Sequence, residues 1–206
     1  MFVTFEGPEG SGKSTQIKLA HQFLTELGVP VIRTREPGGT PIGDQIRATV
    51  HHVKNTKMSP VAELLLYSAS RAQLVAELIR PSLQTGKVVL CDRYADSTLA
   101  YQGYGRGLDL TMLNDITGYA TQGLKPDLTL LFDIDVQAGI ERRTVGGEEM
   151  NRLDLESIQF HEKVRQGYHR LAANEPKRWV VIEANRPIEA IQQEVAVVLK
   201  SNLGLL

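Results

Sequence analysis

The sequence contains one cysteine, Cys91, in 206 residues, so no intrachain disulfide can form and nothing points to an oxidising compartment. Positive charge is not in excess: 23 Lys and Arg stand against 24 Asp and Glu. That balance argues against a general binder of nucleic acid or membrane surfaces, which would carry a basic surplus, yet it permits a local basic pocket. No apolar run approaches the roughly 18 residues needed to span a bilayer. The opening residues Met1-Phe2-Val3-Thr4-Phe5-Glu6 lack a basic stretch followed by an apolar one. Repeats, low-complexity tracts and linkers are also missing. The expectation is a single cytoplasmic domain over residues 1–206, long enough to bury a sizeable core.

Short apolar runs rich in β-branched residues recur at 2–5, 29–34, 88–91, 128–132 and 179–182. Each has strand length and is too apolar to be half exposed, as in a parallel sheet covered on both faces. Helical spacing fills 13–27, 60–85, 111–121, 136–143, 157–173 and 188–199, and Gly28 and Gly86 stop the first two. Alternating strands and helices predict an α/β fold: a doubly wound, five-stranded parallel sheet with helices on both faces and right-handed crossovers. Residues 144–151, rich in Gly and Glu with few apolar anchors, predict a mobile loop.

Gly7-Pro8-Glu9-Gly10-Ser11-Gly12-Lys13-Ser14 matches G-x-x-x-x-G-K-[ST] at every fixed position, with a strand before it and a helix after it. Glycines let successive backbone N–H groups turn inward around phosphate oxygens, and the helix N-terminus adds partial positive charge. In such a loop Lys13 reaches the β- and γ-phosphates of ATP and the Ser14 hydroxyl ligates Mg²⁺. A dinucleotide site is excluded, because Gly10-Ser11-Gly12 runs into Lys-Ser without a third glycine.

Arginines at 35, 47, 71, 93, 142, 143 and 152 fall near predicted strand ends, in loops or on one helix face. The carboxyl ends of the strands in a doubly wound sheet share one crevice, so Arg35 and Arg93 point into it. Convergent guanidinium groups suit a second phosphorylated ligand, which they bind bidentately. Asp92, ending the third strand, is the natural acid for the Mg²⁺ shell, with helix capping as the competing role. A monophosphate acceptor is largely a dianion at neutral pH, its second pKa being about 6, and needs no base to accept a phosphoryl group. His51 and His52 fall in a predicted loop and His161 and His169 on a late helix, and all are read as surface residues.

Four segments resemble the thymidylate kinase family, of the bacterial type. They are Phe5 through Thr15; Thr34-Arg35-Glu36-Pro37-Gly38-Gly39-Thr40 on through Ile42-Gly43 to Ile46-Arg47; Leu64 through Gln73; and Cys91-Asp92-Arg93-Tyr94 through Gly103. With Pro126-Asp127-Leu128 to Asp133 in register, the resemblance spans nearly the whole chain, and the second and fourth segments are more specific than the phosphate loop.

The resemblance implies transfer of the γ-phosphoryl group of ATP to dTMP, with Mg²⁺, in a homodimer whose interface comes from 111–121 or 60–85. It places ATP on Gly7 to Thr15, and the acceptor phosphate on Arg47 and Arg93. Arg71 resembles the arginine that hydrogen-bonds thymine, and Tyr67 stands where a stacking aromatic, usually Phe, is found. The two are four residues apart and so share a helix face, though a core tyrosine with a snorkelling neighbour has the same spacing. Ser97, Thr98 and Gln102 resemble residues around the base, and Tyr101 the ring that crowds the sugar's 2′ position. Glu9 resembles the acid that reaches the sugar's 3′-hydroxyl.

No arginine lies in the phosphate loop. In the bacterial type the catalytic arginine then comes from a mobile lid, here about 141–154, whose closure excludes water. Arg142, Arg143 and Arg152 are the candidates, with Arg143 and Arg152 preferred; the match weakens at Val145-Gly146-Gly147. Asn185 and Arg186, after the last strand, are candidates for adenine contact. A kinase for another monophosphate and a P-loop switch ATPase are the competing readings, the second disfavoured by the lack of a recognisable water-positioning Gln or Glu.

Overall fold

A computed structural model describes residues 1–145 and 150–205. Five strands, β1 (Phe2–Glu6), β2 (Val31–Arg35), β3 (Val88–Asp92), β4 (Leu128–Asp133) and β5 (Trp179–Glu183), form one parallel sheet in the order β2-β3-β1-β4-β5. The helices are α1 (Lys13–Glu26), α2 (Pro41–His51), α3 (Pro60–Leu74), α4 (Arg80–Gln84), α5 (Ala95–Thr98), α6 (Leu110–Thr121), α7 (Val136–Val145), α8 (Ile158–Asn174) and α9 (Ile188–Leu203). A π-helical turn, Val75–Ile79, joins α3 to α4, and another, Leu99–Gly105, extends α5.

Every residue of central β1 is buried, and alternation along it divides the core. Val3 and Phe5 pack with Ile17, Leu24, Val195 and Leu199 of α1 and α9. Phe2 faces the other way, towards Leu74, Val75 and Ile79. Chain connections leave β1 and β3 in opposite directions, so their adjacent carboxyl ends form the switch-point crevice of a doubly wound sheet. The phosphate loop follows one of these strands and Asp92-Arg93 ends the other.

Two expectations need correction. The runs at 29–34 and 179–182 are edge strands rather than doubly covered ones, so Arg33 and Val181 face solvent. Thr144 and Val145, expected in a loop, complete the last turn of α7; residues 146–149 of that predicted loop lie outside the described residues. No helix among the described residues is long and apolar enough to cross a membrane.

Candidate active site

One cleft of about 380 Å³ opens at the carboxyl end of the sheet and is walled by the phosphate loop, the loop after β2, α2, α3, the segment after β3, and α7. Of the residues singled out in sequence, it gathers Glu9, Gly10, Gly12, Lys13, Ser14, Thr15, Arg35, Arg47, Tyr67, Arg71, Asp92, Arg93, Ser97, Thr98, Tyr101, Gln102, Arg142 and Arg143. Gly7, Pro8 and Ser11 shape it from behind. Gly7 carbonyl accepts from Arg93 at 3.0 Å, and Lys13 Nζ donates to Pro8 carbonyl at 2.7 Å and Ser11 Oγ at 3.1 Å.

Close backbone approach sets the loop's curvature. Gly10 has φ +69, and a β-carbon there would stand 1.9 Å from the carbonyl oxygen of Gly139 on α7. Gly139 in turn would drive its own β-carbon to 2.4 Å from Glu9 oxygen. The loop is thus docked against the helix that carries Arg142 and Arg143, through two glycines only one of which lies in the motif.

Ser14 Oγ donates to Asp92 Oδ2 at 2.8 Å, pairing a hydroxyl and a carboxylate at the helix start. These are hard oxygen donors of the kind Mg²⁺ takes alongside phosphate oxygens and water, so the residues fit that ion. Lys13 is almost fully buried; burial, followed by Arg93, lowers its ammonium pKa to about 8, with Glu9 and Asp92 acting in the opposite direction.

Across the cleft, Arg93 Nη2 forms an ion pair with Glu9 at 2.8 Å, and its guanidinium lies over the Tyr101 ring at 4.9 Å. Tyr101 hydroxyl donates to the same Glu9 oxygen at 3.0 Å. Burial alone would raise Glu9, but Arg93 and Lys13 outweigh it and hold the carboxyl at about 2. Arg47 bends to Pro37 carbonyl at 3.0 Å, and Arg35 to Asp44 at 2.9 Å.

Arg71 is buried, with Nε on Glu36 at 2.7 Å, Nη1 on Thr98 at 2.9 Å and Nη2 on Tyr94 carbonyl at 3.0 Å. Nη2 also stands 2.7 Å from Glu36 Oε2, so Nη1 carries the donor not engaged by these partners. Tyr67 lines the cleft one turn earlier, with its hydroxyl unpaired among the described residues. Gln102 donates to Glu63 at 2.6 Å, and Ser97 points to Glu6.

Arg152 is not where the lid reading expected it. Its guanidinium is buried against Glu63 of α3 and the Val50 carbonyl of α2 rather than at the phosphate loop. The cause is electrostatic: Glu63 is a buried acid that Arg106 and Gln102 alone do not saturate. Arg143 does reach the cleft, with Nη2 3.1 Å from Asp154. Asn185 accepts from Arg142 at 2.8 Å, while Arg186 turns away to Glu194.

The histidines also need correction. His51 ends α2 and lines the cleft, its ring 6.3 Å from that of Tyr67, and His161 is buried. Burial first and Arg47 next push the His51 pKa down to about 3, so it stays neutral at working pH. Glu36, Asn151 and Leu153 line the cleft as well. Glu36 stood within the quoted Thr34–Thr40 segment without a role, and its partner Arg71 is 35 residues away.

A phosphate-binding strand–loop–helix, an adjoining hydroxyl–carboxylate pair and a second arginine-lined wall in one cleft define a P-loop phosphotransferase with two phosphorylated substrates. The thymidylate kinase family profile matches residues 5–195. Thymidylate kinase from Roseiflexus sp. (strain RS-1) is 50% identical, covering 99% of this chain and 95% of that protein. The one from Bacillus pumilus (strain SAFR-032) is 46% identical, covering 98% and 96%. The crystal structure of thymidylate kinase from Ehrlichia chaffeensis superimposes with a TM-score of 0.79 at 35% identity, covering 97% of this chain and 98% of that one. The chain belongs to the thymidylate kinase family.

Proposed function

We propose that the chain phosphorylates dTMP with ATP, giving dTDP and ADP, and that its residues divide the work as follows. The observation that carries this reading is the Glu9–Arg93 pair, where the phosphate loop meets the acceptor wall. The loop from Gly7 to Thr15 binds the ATP phosphates, with Lys13 supplying charge to the transferring group. Ser14 and Asp92 would hold Mg²⁺, which when bound neutralises phosphate charge. Arg47 and Arg93 hold the acceptor phosphate, Arg71 and Tyr67 bracket the base, and Tyr101 restricts the sugar. Glu9, kept ionised by its surroundings, accepts from the sugar hydroxyl.

Because a dianionic acceptor needs no general base, the chain's contribution is alignment and charge stabilisation in a site that excludes water. Arg143 is assigned to the transition state and Arg142 to the adenine side, beside Asn185. The segment at about 141–154 acts as the lid, with Arg152 anchoring its far end rather than joining the chemistry.

The protein is read as a cytoplasmic homodimer. Val61 and Leu65 of α3 are 50% and 53% exposed, and Tyr119 of the adjoining α6 is 90% exposed, an apolar face suited to a second copy. Phosphorus NMR of the protein with ATP, Mg²⁺ and dTMP tests the reaction: resonances of dTDP grow as ATP is consumed. Their absence, with ATP intact, would exclude it.

A further inference from the structure

Beneath Arg93 lie Glu6 and Tyr168, to which the scheme above gives no role, beside Ser97 of the cleft lining. Glu6 ends β1 fully buried, and Tyr94 N–H donates to its Oε1 at 2.7 Å. The Ser97 and Tyr168 hydroxyls both approach Oε2, at 2.6 and 2.8 Å, and stand 2.9 Å from each other. Three oxygens thus close a triangle of hydrogen-bonding contacts, contributed by β1, α5 and α8.

Each side of the triangle needs one proton, and Ser97 and Tyr168 bring one apiece. An ionised Glu6 brings none, so one pair of oxygens would face each other at hydrogen-bonding distance with nothing between them. A protonated Glu6 closes the ring: Glu6 donates to Ser97, Ser97 to Tyr168, and Tyr168 back to Glu6. The remaining lone pairs then accept from Arg93 Nη1, 3.0 Å from Tyr168 and 3.4 Å from Ser97. With Gly7 carbonyl as a third acceptor, Nη1 is committed to the scaffold and Nη2 is aimed at Glu9 and the cleft.

We propose that Glu6, Ser97 and Tyr168 form a proton-sharing ring that positions Arg93 for the acceptor phosphate, with Glu6 held as a neutral carboxylic acid. The backbone depends on the same ring. Arg93 adopts φ +68, a left-handed conformation unusual for a side chain of its size, and the next N–H is the one Glu6 accepts. Glu6 and Tyr168 touch no reacting atom; they act through Arg93.

Burial favours the neutral acid and the nearby cations oppose it, so the ring is complete on the acid side of neutrality. Burial raises the Glu6 pKa to about 7 and Asp96 adds to this, against Arg93. Lys13 from α1 and Arg71 from α3 also feel its charge, as does the buried Cys91 thiol. Tyr168 faces it from α8 with its own hydroxyl held in the protonated form.

The inference rests on Arg93 binding the acceptor, so Tyr168→Phe is compared with Arg93→Ala. Tyr168→Phe keeps the aromatic ring and opens the proton ring. It is expected to raise the acceptor KM about tenfold, as for a lost hydrogen bond to a charged group, with the ATP KM unchanged. The ratio of mutant to wild-type KM is largest near pH 6 and shrinks by pH 8.5, where wild-type Glu6 has lost the third proton. A wild-type acceptor KM in Tyr168→Phe, with Arg93→Ala impaired, overturns the ring alone; unimpaired Arg93→Ala overturns the assignment beneath it. If Tyr168→Phe does not fold, difference infrared titration of the wild type decides. A protonated-carboxyl band that titrates near pH 7 and is lost in Glu6→Gln supports the ring, and its absence from the wild type overturns it.

Discussion

Glu9 and Arg93 lie 84 positions apart in sequence and 2.8 Å apart in space, which fastens the phosphate loop to the segment after β3. The pair links donor and acceptor sites through one charge-assisted bond. Replacing Glu9 with Gln leaves Arg93 uncompensated and removes the acceptor for the sugar hydroxyl. The expected loss in kcat/KM for dTMP is about 10- to 100-fold, typical of a hydrogen bond to a charged group. Initial rates with dTMP varied at saturating ATP check it, and the ATP KM is expected to stay near wild type.

Lys13→Ala is expected to lower kcat by about 10²- to 10³-fold, as for other groups that stabilise developing charge. The depressed ammonium pKa of about 8 carries a second consequence. ATP phosphates favour the charged form, so nucleotide binding above pH 8 draws in a proton. Calorimetric titration in buffers of different ionisation enthalpy reads that uptake, and Lys13→Ala abolishes it.

Three shifted groups set the pH dependence of stability, and they do not share one sign. Folding favours neutral His51, so its contribution is complete above pH 6.5 and drains away as the pH falls towards about 3. Glu9 acts in the same sense, its contribution being present above pH 4.5 and lost towards about 2. Glu6 runs the other way: its raised pKa favours folding at low pH, and that contribution is lost as the pH rises through about 7. Each fully expressed group changes stability by up to about 1.4 kcal/mol per pH unit. Between pH 4.5 and 6.5 the His51 and Glu6 contributions oppose each other, so thermal melts of the wild type are expected to change little there, and His51→Leu, which leaves Glu6 unopposed, is expected to make stability fall as the pH rises through that window.

These shifts mark the boundary of what the sequence discloses. The five strand runs and the phosphate loop are local patterns that the fold contains, and Arg47, Arg71 and Arg93 all line the one cleft. The missed helix α2 had local signals too: Thr40 accepts from Gly43 N–H as the cap, and Pro41 follows at the first turn. Its glycine and polar residues masked the apolar period. Burial of His161 and the meeting of Glu6 with Ser97 and Tyr168 arise from contacts between distant segments, which no window of sequence contains. Arg152 was misplaced for the same reason, since its partner Glu63 lies 89 residues earlier on α3.

That partner separates the two lid arginines. Glu63 receives Arg106, Arg152 and Gln102 in a buried cluster. Glu63→Ala leaves buried donors and charge unpaired and should cost about 3–5 kcal/mol, visible in chemical denaturation. Arg152→Ala is expected to affect stability chiefly, whereas Arg143→Ala should lower kcat with little change in melting. The reverse pattern would return the catalytic role to Arg152.

The most direct test of the central claim is ADP release with ATP and Mg²⁺, comparing dTMP, dUMP, UMP, CMP, GMP and no acceptor. Turnover with dTMP far above all others is the predicted result. Hydrolysis indifferent to every acceptor, or preference for a monophosphate other than dTMP, would contradict it.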